Sequence, residues 1–171
     1  MLNISNVVLS TEAATIIIKA ASDGYLARYK EERLGILFGR LYGSTVSVSL
    51  VKVFQGGIKT RTAVEVNSRS IESRISHLSS RHRSRFLGTF HTHPEVANSI
   101  SSALSNEDKV PICEKYMPLI EVVATIWASD SPVRQSQYYY QVKYGDYRIR
   151  IAAHRFGGSF TIVPVSTKGF K

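Results

Sequence analysis

Phe86-Leu87-Gly88-Thr89-Phe90-His91-Thr92-His93-Pro94 decides how this chain reads. Phe86 to Phe90 is apolar and strand-like, and Pro94, which has no N–H to give a ladder, ends it. Side chains alternate along a strand, so His91 and His93 point to one face with alpha carbons roughly 6.5 to 7 Å apart. Two imidazoles placed in this way can converge on one metal ion. The chain has five histidines, His77, His82, His91, His93 and His154, so the pair does not come from a His-rich background.

After a polar loop, Ser105-Asn106-Glu107-Asp108 reads as a helix start, with Ser105 as N-cap and Asp108 at the third helical position. Two histidines and one aspartate leave a fourth tetrahedral position for water, the pattern of a catalytic rather than a structural zinc. Each half has an ordinary reading by itself: a histidine pair in a core or on a surface, and a simple helix cap. The two in succession are far more specific than either one.

With these residues the sequence resembles the JAMM, or MPN+, zinc metalloproteases, whose signature is a glutamate followed far downstream by HxHP and then SxxD. The upstream element is similar to Glu32-Arg33-Leu34-Gly35-Ile36-Leu37-Phe38-Gly39, where the glycine spacing selects Glu32 over Glu31. By chemistry alone both glutamates close a helical stretch and read as solvated charges. The resemblance runs from about Asn6 to Trp127 and implies one Zn2+ per chain held by His91, His93 and Asp108. It implies Glu32 as the general acid/base and Ser105 as donor to the tetrahedral oxyanion, a role often worth roughly 3 kcal/mol. The implied reaction is hydrolysis of the peptide or isopeptide bond after the tail of ubiquitin or a ubiquitin-like modifier, or the same chemistry on a sulfur-carrier protein. The loop Glu95 to Leu104 is about three residues longer than the family's usual spacing, a change of small entropic cost that alters the loop rather than the ligands.

Composition bounds the rest. At 171 residues and 43% hydrophobic content, one domain is expected, residues 1–165, with a tail at 166–171. The single cysteine, Cys113, excludes an internal disulfide and a thiolate cluster, so a metal must use nitrogen and oxygen ligands, and a reducing, cytoplasmic setting is expected. The N-terminus has no basic leader, and no apolar run approaches the roughly 18 residues that span a bilayer, so no membrane partner is expected.

The formal charge is +9, and Arg69, Arg74, Arg81, Arg83 and Arg85 concentrate it. They read as a solvated helix face or as substrate-binding candidates that steer an acidic protein partner. Nucleic acid is disfavoured because no aromatic platform is interleaved with them.

Periodicity predicts a strand at Asn6 to Leu9 and a Ser10-capped helix with Ala14, Ile17, Ile18, Ala21 and Leu26 inward. It predicts a hairpin, Leu34 to Leu41 and Thr45 to Phe54, around Tyr42-Gly43-Ser44, then a loop from Gln55 to Thr60. A helix at Ser70 to Ser80 and strands at Leu119 to Ala128, Gln137 to Tyr144, Asp146 to His154 and Phe160 to Val165 complete the reading. The expected architecture is a single α+β, MPN-like domain, an α-β-α sandwich whose curved, mostly antiparallel sheet is flanked by helices. Two rivals remain. A cupin-like metal enzyme would recruit His154 as a further ligand, and a noncatalytic MPN scaffold would lack ligands, whereas Glu32, His91, His93, Ser105 and Asp108 are all present.

Overall fold

The computed structural model describes residues 2–55, 58–59, 64–65, 68–95, 100–104, 115–134, 136–156 and 161–168. In chain order these form β1 (Asn6–Leu9), α1 (Thr11–Tyr25), β2 (Leu34–Tyr42), β3 (Thr45–Val53), β4 (Ile58–Lys59), β5 (Val64–Glu65), α2 (Ser68–His82), β6 (Arg85–Pro94), β7 (Ile120–Ala128), β8 (Tyr139–Tyr144), β9 (Tyr147–Arg155), β10 (Thr161–Val163) and β11 (Val165–Thr167).

Local chemistry sets several of these bounds. Ser10 Oγ accepts the Ala13 N–H at 3.1 Å, satisfying one of the donors that open α1. The helix stops at Tyr25, so Leu26, expected inward, lies beyond the apolar stripe and is 62% exposed. The β2–β3 hairpin turns on Gly43-Ser44, with Gly43 at φ 57°, a conformation glycine adopts without steric cost. Residues 58–59 and 64–65 pair as a small ribbon where a loop was expected. Pro164 splits the last expected strand into β10 and β11. Ser166 and Thr167 pair with Val8 and Leu9 rather than opening a tail.

The main sheet runs β10-β9-β7-β6-β2-β3-β1-β11, with β8 also paired to β9. Strands β1/β11, β1/β3 and β6/β7 are parallel and the other pairs antiparallel. The chain leaves β10 on one margin and enters β11 on the other after a single residue, and Val165 N–H donates to Gln137 O at 3.1 Å beside β8. The sheet therefore curls almost shut.

This overturns the α-β-α sandwich and the MPN-like domain. Among the described residues the protein is rich in strand, a nearly closed, barrel-like sheet with two helices. The physical reason lies in α1. Its buried face is largely alanine, Ala13, Ala14, Ala20 and Ala21 with Ile17 and Ile18, slim enough to lodge within the curl. There it packs with Leu37, Val46, Phe90, Val122, Ile126, Ile149 and Ile151 in one core instead of forming an outer layer.

The other helix lies on the outer face. Ile71, Ile75 and Leu78 of α2 cover Leu34, Ile36, Phe38, Phe54 and Phe86. Its remaining surface carries exposed Arg69, Arg74 and Arg81, with Arg74 5.7 Å over the Phe54 ring, and exposed Arg83 and Arg85 follow in the link to β6 and at that strand's first residue. A second feature of β2 bears on the histidine strand. A Cβ added at Gly35 would stand 2.2 Å from a Phe90 ring carbon and 2.6 Å from Lys52 O, so only glycine lets that ring lie flat against β2. Gly35→Ala is expected to lose about 1–3 kcal/mol of stability, read as a lowered urea midpoint, by the usual cost of overpacking a core.

Candidate metal centre

The outer face of the sheet changes character at β6. Where β2 presents Leu34 opposite His91 and Ile36 opposite Thr89, β7 presents Glu121 opposite Thr89 and Thr125 opposite His93. Thr89, His91 and His93 share one face because they alternate along β6. All except His93 are nearly or fully buried.

Their imidazoles converge: His91 Nε2 lies 2.9 Å from His93 Nε2, with ring centroids 4.6 Å apart. The other ring nitrogens are held from behind. His93 Nδ1–H donates to the Ser101 carbonyl at 3.0 Å, and a carbonyl can only accept. His91 Nδ1 sits 2.8 Å from Glu121 Oε1, and the Thr89 hydroxyl donates to the other oxygen of that carboxylate. With both Nδ1 atoms donating, two neutral rings would turn bare lone pairs toward each other across 2.9 Å. That contact is repulsive unless a proton or a metal cation lies between the rings, and a carboxylate or carbonyl behind each imidazole is the usual support of a metal-ligating histidine. The histidine pair thus fits either a shared proton or a metal cation that takes nitrogen ligands.

Glu32 completes what is visible. It lies in the link between α1 and β2, is 7% exposed, and its Oε1 stands 4.0 Å from His93 Nε2. Its position is fixed by the next residue, since Arg33 N–H donates to Thr92 Oγ1 at 2.8 Å and Thr92 N–H to Arg33 O at 2.9 Å. Ser105 and Asp108 fall outside the described residues. Among the described residues no group of three or more histidine, cysteine, aspartate or glutamate side chains is arranged to hold a metal.

Sequence reasoning did not single out Glu121. Its signal was present: one carboxylate inside the run Leu119 to Ala128, apolar but for Thr125 and on a buried strand, calls for a partner. His154 stands opposite Glu121 in the β7–β9 register, and its Nε2–H donates to Ser102 O at 3.0 Å. Ser102 Oγ and Thr125 Oγ1 are 2.9 Å apart, and Thr125 Oγ1 also donates to Ser101 O at 2.8 Å. Residues 101 and 102 are therefore pinned across the face beside the histidines. The arginine candidates, Arg69, Arg74 and Arg81 on α2, Arg83 after it and Arg85 at the start of β6, are all exposed.

No helix among the described residues is long and apolar enough to cross a membrane. No protein-family profile matches the chain, and no curated protein matches it. Among solved structures it is similar to the solution structure of protein DSY2949 from Desulfitobacterium hafniense. The two share 15% identity over 95% of this chain and 92% of that one, with a TM-score of 0.61, a likeness of fold alone.

Proposed function

We propose that this chain is a cytoplasmic, zinc-dependent hydrolase that cleaves a peptide or isopeptide bond after the C-terminal tail of ubiquitin or a ubiquitin-like protein, sulfur-carrier proteins included. The observation that carries the reading is the convergence of His91 and His93 Nε2 at 2.9 Å with both Nδ1 atoms already committed to Glu121 and Ser101. The substrate class rests on the motif resemblance described above, which stands as a likeness of residues and not of architecture.

In this reading His91 and His93 hold the metal together with Asp108. Bound zinc supplies acidification of a water molecule and polarisation of the scissile carbonyl. Glu32, beside His93, accepts the water's proton and returns it to the leaving amine. Thr89 and Glu121 keep His91 in one tautomer and one orientation, and the Ser101 carbonyl does the same for His93. Ser105 donates to the oxyanion. The exposed arginines of α2 raise the encounter rate with an acidic partner.

Zinc per chain in identically prepared wild type, Asp108→Ala and His154→Ala tests the ligand set. Near-stoichiometric zinc in wild type and His154→Ala, with strong loss in Asp108→Ala, is the expected result. Loss in His154→Ala with retention in Asp108→Ala would overturn it in favour of a cupin-like centre.

A further inference from the structure

The outer face continues past the histidines onto β7, β9 and β8, and register fixes what stands there. His93 is opposite Thr125, Thr125 opposite Arg150, and Arg150 opposite Gln141, a single row across four strands. Arg150 is clamped between two aromatic rings, its guanidinium carbon 5.3 Å from the Trp127 centroid and 4.6 Å from that of Tyr139. Such stacking favours the cation and orients its planar fork.

Two polar groups in this row are unsatisfied. Arg150 Nε and Gln141 Oε1 are shielded from solvent and have no hydrogen-bond partner among the described residues, and Gln141 is 4% exposed. Among the described residues no carboxylate pairs with Arg150. A buried donor and a buried acceptor left open on neighbouring strands carry a desolvation cost that a ligand of opposite pattern would remove. Two strand spacings separate Arg150 from His93 by about 10 Å, so the two places can hold different groups of one substrate.

We propose that Arg150 and Gln141 form a carboxylate-recognition subsite for a peptide, in which the guanidinium takes the carboxylate and Gln141 Oε1 accepts a peptide N–H. It rests on the hydrolase reading only in taking the ligand to be a peptide.

Trp127 is the single tryptophan of the chain, so its fluorescence reports this subsite directly. The full-length protein is titrated with acetylated Ala-Glu-Ala amide, acetylated Ala-Gln-Ala amide and acetylated trialanine bearing a free terminal carboxylate, each with zinc and after chelation. The glutamate peptide is expected to bind about tenfold more tightly than the glutamine peptide in both conditions, as a charge-assisted hydrogen bond predicts. Trialanine matching the glutamate peptide assigns the site to a chain terminus, and trialanine matching the glutamine peptide assigns it to an acidic side chain. Arg150→Gln is expected to abolish the preference. Gln141→Glu, which keeps the side-chain shape and sets an internal carboxylate beside Arg150, is expected to abolish it as well.

Equal binding of the glutamate and glutamine peptides to wild type overturns the subsite, as does a preference that survives both substitutions. A preference that persists in a protein with no peptidase activity upholds the subsite and removes the hydrolase reading. Hydrolysis without the preference does the reverse.

Discussion

Glu32→Gln is expected to bind zinc as wild type does and to hydrolyse its peptide substrate about 10²- to 10⁴-fold more slowly, the usual loss when a positioned general base is removed. The amide is nearly isosteric with the carboxylate, so it fills the same volume beside His93, where Glu32 is 7% exposed with Oε1 4.0 Å from the ring nitrogen. It cannot take a proton from water or deliver one to the leaving amine. Single-turnover hydrolysis measured with metal content on the same preparation reads the two quantities apart. A full rate in Glu32→Gln would remove Glu32 from the chemistry, while loss of both rate and zinc would make it a group that holds the metal.

The second large effect belongs to Glu121. This carboxylate, 4% exposed, receives both the Thr89 hydroxyl and His91 Nδ1. Glu121→Ala leaves two buried donors without acceptors, each worth about 1–3 kcal/mol of desolvation, and frees the His91 ring to turn. Zinc affinity is expected to fall about 10- to 100-fold, as when other groups behind metal-ligating histidines are removed. The metal-free protein is expected to melt at a lower temperature. Glu121→Gln, which keeps one acceptor oxygen, should fall between the two. Competition with a chromophoric chelator gives the affinity and calorimetry of the chelated protein gives the stability. Unchanged values in both would mean that Glu121 merely fills space.

The contrast between these two glutamates shows what a linear sequence can display. His91 and His93 were legible because a period of two fixes which side chains share a face, whatever the strand's neighbours are. Glu32 was legible only through the glycine spacing, and Gly35 has a physical reason: Phe90 lies where its Cβ would be. The role of Glu121 depends on β6 and β7 lying side by side with Thr89 against Glu121, a pairing that periodicity cannot express. The same holds for Arg150 between Trp127 and Tyr139, a cluster assembled by two separate registers. The overall architecture was misread for a related reason. Each strand but the last was found near its expected place, yet the pairing of β1 with both β3 and β11, which curls the sheet around α1, joins segments far apart in sequence.

Strand β6 is paired with β7 along both histidines and with β2 as far as His91, beyond which the Thr92 N–H is taken by Arg33 O. Neither side of β6 therefore offers a free edge at His91, and a peptide cannot add itself to the sheet as a further strand there. On the reading proposed above, a substrate comes down onto the face instead, where it meets side chains and the pinned residues 101 and 102. On that reading, discrimination near the scissile bond is written in groups that can be exchanged one residue at a time without disturbing the ladder that carries them.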